Sequence, residues 1–224
     1  MPLYNLASTG LTPTARMSTA IWPAPGCADE TLAVWLSTCR VEAVTNLTLE
    51  TERLVLRPLR HKDLNDLSRL HAEESFWWYP FRRGWTTDET EAFIERTVAS
   101  YSEDEFGLSA IVVRDSGELA GWAGLSVPWF LPEVLPAVEV GWRLGEAFRG
   151  LGYATEAGRA WVDHGFKNRA LEEIVSIYEP ENQASGAVMT RLGFQIAIET
   201  VHPTRGQILH VTRLDREEWL ANRA

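Results

Sequence analysis

The segment that decides the fold is Arg149-Gly150-Leu151-Gly152-Tyr153-Ala154. It lies between an apolar run, Val138 to Leu144, and a helix-period stretch from Ala154 to Asn168. Glycine lets the backbone take φ > 0 and approach a ligand closely. Successive N–H groups of such a turn face a concavity at a helix N-terminus, where the dipole favours an anion. Arg149 adds a positive charge. These residues suit a diphosphate held without metal, although two glycines also suit a plain strand-to-helix turn. A nucleotide P-loop would need Lys-Ser/Thr after its last glycine, and Tyr-Ala-Thr stands there. A dinucleotide fingerprint would need a third glycine, where Ala154 stands, and an acidic strand end about 20 residues on.

Outward from this turn, the pattern alternates strands and helices. Leu54–Leu59 predicts a first strand, ended by proline. Leu64, Leu67 and Leu70 have helical spacing within 61–71, and Thr87 opens a second helix to about Tyr101. Phe76-Trp77-Trp78-Tyr79-Pro80-Phe81 reads as an aromatic loop. Residues 107–114 and 118–127 flank an Asp115-Ser116-Gly117 turn, a hairpin signature. A strand at 138–144 and a helix at 154–168 follow, then a strand at 174–178 and a helix at 182–192. A final hairpin, 194–201 with 207–214, precedes a tail helix capped by Asp215. The order β-α-α-β-β-β-α-β-α-β-β predicts an α/β fold with a mixed central sheet.

The chain has 224 residues, 45% hydrophobic and 23% charged, with net charge −10. That suits one domain at 46–224 plus an extension. Residues 1–45, rich in Ser, Thr, Pro, Gly and Ala, are expected to be weakly structured, and Met17 is an alternative start. The negative charge argues against nucleic acid and anionic membranes as partners. Cys27 and Cys39 are the two cysteines, so no disulfide framework is expected and the chain reads as cytoplasmic. No run of 18 apolar residues predicts a membrane span. His61, His71, His164, His202 and His210 are scattered and form no metal pattern, so no metal is expected.

Arg149-x-x-Gly152-x-Ala154 resembles the (Gln/Arg)-x-x-Gly-x-(Gly/Ala) signature of the GNAT N-acetyltransferase superfamily. VEVGWRL before it, YATEAGRAWVDHGF after it and ENQASGAVMTRLGF at 181–194 also match. ETERLVLRPL at 50–59 is similar to the branch that acetylates the N-termini of ribosomal proteins. The resemblance covers roughly residues 49–214. It implies acetyl-CoA as donor, with its diphosphate on the amides of Gly150, Leu151, Gly152, Tyr153, Ala154 and Thr155. Its pantetheine would run beside Trp142, Arg143 and Leu144, where this strand and the next splay apart. Asn182 would stand near the pantetheine arm, and it also suits an ordinary helix N-cap.

Acyl transfer to an amine requires loss of the ammonium proton, donors for the oxyanion, and a proton or hydrogen bond for the leaving thiolate. Glu139, in an apolar run, is the candidate base, because the family places an acidic residue there; pairing with Arg143 is its plainer role. Met189 stands where many members carry a proton-donating tyrosine. Ser185 is the substitute candidate from the resembled branch, with Tyr178 and Tyr153 behind it; a serine there also serves as a cap. A backbone amide near Gly141 or Trp142 would serve the oxyanion. Trp77, Trp78, Tyr79, Phe81, Trp85, Trp129 and Phe130 are expected on the acceptor side, where they also suit sheet packing. Arg82-Arg83-Gly84, among these aromatics, is a candidate for binding an acceptor carboxylate, with Arg83 placed in the acceptor pocket. The expected function is N-acetylation of a primary amine, of a protein N-terminus or a small molecule, by a monomer or homodimer. A non-catalytic acyl-CoA sensor, favoured by Met189, and use of a longer acyl-CoA are the competing readings.

Overall fold

The computed structural model describes residues 47–80, 82–104 and 106–223. The expected extension at 1–45 lies outside them, as does Phe81. Among the described residues the strands are β1 (Leu49–Glu50), β2 (Leu54–Pro58), β3 (Leu108–Val113), β4 (Leu119–Ser126), β5 (Glu139–Leu144), β6 (Glu173–Tyr178), β7 (Gln195–Val201) and β8 (Ile208–Asp215). The helices are α1 (Leu64–Ala72), α2 (Glu74–Trp77), α3 (Thr87–Asp104), α4 (Tyr153–Asn168), α5 (Gln183–Leu192) and α6 (Arg216–Ala221). The strands form one sheet in the order β1-β2-β3-β4-β5-β6-β8-β7. The expected mixed α/β architecture is therefore present. Two features were not expected. β1 is too short and polar to give a period-2 signal. Phe76 and Trp77, expected in a loop, belong to α2, which tucks Phe76 into the core.

β2 shows why alternation works: Leu54, Leu56 and Pro58 are buried while Val55 and Arg57 keep some exposure. Arg57 then makes a bidentate pair with buried Asp63, at 2.7 Å for each bond. α4 presents Ala157, Trp161, Val162 and Phe166 to the main core, a face repeating at helical spacing. Trp161 is fully buried, and its indole N–H donates to Ser109 Oγ at 3.1 Å. Its polar end is thereby satisfied inside the core. α1, α3 and Phe76 bury a second cluster against Ala110 and Leu119.

The site follows from the sheet's one parallel contact. β5 pairs antiparallel with β4 over six residues, Glu139 to Leu144. With β6 it has one parallel register pair, Glu139 with Val175. Val175 N–H donates to Val138 O at 2.9 Å and Ser176 Oγ donates to Val140 O at 2.8 Å. Beyond that point β5 and β6 part, leaving backbone groups of β5 without a strand beside them.

Candidate active site

The turn after β5 takes the conformation its glycines permit. Gly150 has φ +73° and Gly152, the N-cap of α4, has φ +85°. A Cβ on Gly150 would meet open space. The turn thus presents main-chain amides of the first turn of α4 to an open concavity, where the helix dipole favours negative charge. A groove of about 1180 Å³ runs from this turn along the open edge of β5 to the start of α5. Of the sequence candidates it is lined by Trp142, Arg143, Leu144, Arg149, Gly150, Gly152, Tyr153, Ala154, Thr155, Asn182, Ser185 and Tyr79. Leu151, whose side chain is exposed, is not among the lining residues. A turn of free amides, an unpaired strand edge and a continuous groove fit a coenzyme A molecule, the diphosphate at one end and the pantetheine along β5.

The arginines of this region have other duties than expected. Arg149 donates through Nε to Leu144 O at 3.0 Å and through Nη2 to Ser75 O, tying the turn to α2. Arg143 is half-buried, stacks over Trp122 at 5.4 Å and donates to Phe76 O. Burial, with repulsion from Arg149, lowers its pKa to about 9. It braces α2 against the sheet, and only its backbone suits the pantetheine. Arg53 is the residue that sequence reading missed. It reaches the glycine turn from the start of β2, donating to Leu151 O at 2.9 Å and to Glu156 Oε2 at 2.7 Å. Its guanidinium also stands over the Tyr153 ring at 4.9 Å.

Asn182 is the N-cap of α5, and its Oδ1 accepts from Ser185 N–H at 3.3 Å. That bond fixes the helix start that carries Ser185 into the groove. Met189 is buried and its sulfur accepts from Thr212 Oγ1 at 3.5 Å, so it is a packing residue. Tyr178 shares its hydroxyl with His210 Nδ1 at 3.1 Å, and His210 Nε2 lies 3.1 Å from Glu199 Oε2. His210 thus joins Tyr178 to an exposed carboxylate.

Glu139 stands at the root of the splay, outside the groove lining. Part of the residue touches solvent, but its carboxyl is surrounded by protein. Burial pushes the pKa up to about 8, against the opposing effect of the nearby Ile177 amide. A carboxyl so shifted titrates near neutrality, where a general base works best.

The aromatic candidates divide. Trp78, Trp129 and Phe130 are exposed at 45%, 58% and 41%. Phe130 stacks on His202 with centroids 5.2 Å apart. Trp77 donates to Ala72 O at 3.3 Å. Trp85 packs on His71 at 4.5 Å and Phe93 at 5.5 Å, so it serves the second core cluster rather than an acceptor surface. Arg83 is committed to Glu89 at 2.6 and 2.9 Å, and its side chain is exposed. Its neighbour Arg82 is the one turned inward, onto buried Glu179.

A family model described as an acetyltransferase (GNAT) domain matches residues 53–195. The chain belongs to the GNAT acetyltransferase family. It is 28% identical over 153 residues to spermidine N(1)-acetyltransferase of Escherichia coli, covering 66% of this chain and 75% of that protein. It is 27% identical over 164 residues to the ribosomal protein uS5-alanine N-acetyltransferase of the same organism, covering 68% and 80%. Its fold is that of RimL, a ribosomal L7/L12 α-N-protein acetyltransferase solved in complex with coenzyme A, with TM-score 0.65 and 17% identity over 75% of this chain and 98% of that one. This GNAT domain is an N-acetyltransferase. No helix among its described residues is long and apolar enough to cross a membrane.

Proposed function

We propose that this GNAT domain, at 46–224, moves an acetyl group from acetyl-CoA to a primary amine by direct attack. One observation carries the reading. The opening between β5 and β6 has a buried, upshifted carboxyl at its root and a glycine turn of free amides at its far end. The thioester supplies an activated acetyl group. The amides at 150–155 bind the diphosphate, and the open edge of β5 orients the pantetheine as an added strand. Glu139 takes the proton from the acceptor ammonium, directly or through one water, so that the nitrogen lone pair is free to attack. A backbone N–H at Gly141 or Trp142 serves the oxyanion. The thiolate leaves with a hydrogen bond from Ser185.

The exposed aromatics Trp78, Trp129 and Phe130 flank the acceptor side. The relatives named above include one that acts on a polyamine and one on a protein N-terminus. The aromatic, loop-built surface favours the N-terminus. The test is release of free CoA thiol from acetyl-CoA with a panel of amines and N-terminal peptides. Turnover with at least one panel member is expected. Tight CoA binding with no turnover across the panel would favour a sensor domain, and turnover only with longer acyl-CoA would change the donor.

A further inference from the structure

Three loops meet beyond the C-terminal end of β6. Arg205, on the β7–β8 turn, donates to Pro80 O in the aromatic loop. Phe130, from the β4–β5 connection, stacks on His202 of that same turn. Arg82 lies over Tyr79 at 4.6 Å and pairs with Glu179 Oε2. Glu179 is buried, with 4% of its surface exposed, and its other oxygen, Oε1, has no hydrogen-bond partner. A buried carboxylate oxygen of this kind calls for a donor.

The charges at this place do not balance. Burial and the nearby Arg82 lower the Arg205 pKa while Glu179 opposes them. Two guanidiniums thus stand near one buried carboxylate, Arg82 paired with it and Arg205 bonded to Pro80 O, in a chain of net charge −10. Main-chain carbonyls such as Pro80 O orient a guanidinium without neutralising it. The excess positive charge is half-open to solvent, since the Arg82 side chain is 37% exposed.

The location gives this charge a meaning. Glu139 is in register with Val175 of β6, and the Ile177 amide of that strand is near enough to its carboxyl to oppose the upward pKa shift. Glu179 follows Tyr178, the last residue of β6, two residues beyond Ile177 and about 7 Å from it at the rise of an extended chain. Leu131, beside the exposed Trp129 and Phe130, packs against Val175 on this side of the sheet, with Ile177 beside it.

We infer that Arg82, held by Glu179, and Arg205, held by Pro80 O, form a subsite for a carboxylate on the acceptor, about two residues' reach from the amine that Glu139 deprotonates. The acceptor class is a free N-terminus with an acidic residue in second position. Its amide N–H groups are the donors that Glu179 Oε1 lacks. This rests on the reading of Glu139 as the base, which defines where the amine stands.

The test uses the full chain loaded with CoA and two peptides, Ser-Asp-Gly-Ala-amide and Ser-Asn-Gly-Ala-amide, read by calorimetric binding and, with acetyl-CoA, by thiol release. A charge-assisted pair against a neutral one predicts about tenfold tighter binding of the Asp peptide. Arg205→Gln, on a solvent-facing turn, brings the ratio near one, and Arg82→Gln does the same if it folds. Equal binding of the two peptides, binding of neither, or a preference that survives Arg205→Gln overturns the inference. Preferential binding without turnover would keep the subsite and contradict the proposed acetyl transfer to peptides.

Discussion

Arg53 and Glu156, 103 residues apart in the chain, meet in a two-point contact at the first turn of α4. Arg53 Nε donates to Glu156 Oε2 at 2.7 Å and the Arg53 backbone N–H donates to Oε1 at 2.8 Å. Thr51 Oγ1 adds a third bond to Glu156, at 2.7 Å. Burial raises the Glu156 pKa, but these donors outweigh it and hold the group below the usual carboxylate range. The pair fastens the start of β2 to α4, the helix whose first-turn amides are proposed to hold the diphosphate, and the same guanidinium holds Leu151 O.

The pair's role is to fix that turn. Arg53→Ala should raise the KM for acetyl-CoA about tenfold, the cost of one charge-assisted contact, with a smaller change in kcat. S-acetylpantetheine lacks the diphosphate, so its turnover should hardly change. Steady-state kinetics with the two donors checks this. Equal losses on both would mean that Arg53 supports the fold at large.

Gly152 cannot be replaced cheaply. Its φ of +85° disfavours any side chain, and a Cβ would come 3.3 Å from Arg53 Nη2. Gly152→Asp also puts a carboxylate where the diphosphate is expected. We predict loss of CoA binding by calorimetry while circular dichroism reports a folded chain. Intact binding would show that the anion sits elsewhere.

Glu139 has a pH signature. Its folded pKa of about 8 lies above its unfolded value. kcat/KM should therefore rise with pH through about 8 as the base becomes ionised. Glu139→Gln should flatten that limb and lower kcat by roughly 10²–10⁴. The same shift has a stability sign. A raised carboxyl is equally protonated in both states below the unfolded pKa, and it penalises the fold as pH rises from there toward 8. Glu139→Gln should thus match wild-type Tm near pH 4.5 and exceed it at pH 8. A Tm difference that does not grow with pH would contradict the buried placement.

Ser185 and Tyr178 compete for the leaving thiolate. Ser185 lines the groove; Tyr178 does not, but it has His210 and Glu199 behind it. Ser185→Ala should lower kcat about tenfold or more with little change in acetyl-CoA KM, and Tyr178→Phe should do less. A larger loss in Tyr178→Phe, matched by His210→Gln, would reassign the role.

What was legible in the sequence was what is local. The glycine turn announced itself because φ > 0 at two close positions needs glycine, and α4 and α5 because their apolar faces repeat at helical spacing. Asn182 was readable as a cap. Contacts between distant segments were not legible: nothing near Arg53 signals Glu156, and nothing near Tyr178 signals His210. Arg82 and Arg83 are adjacent and chemically alike, so only the backbone decides that Arg83 meets Glu89 while Arg82 turns toward Glu179. Trp85 looked like its exposed aromatic neighbours because composition does not distinguish a core aromatic from a surface one.

The central claim is that the opening between β5 and β6, ending on the glycine turn, holds acetyl-CoA. The most direct measurement is a crystal structure of the chain grown with saturating CoA. The account predicts diphosphate oxygens within hydrogen-bond distance of the 150–155 amides and pantetheine alongside Trp142 to Leu144. Cofactor density at another site, or none at saturation, would contradict it.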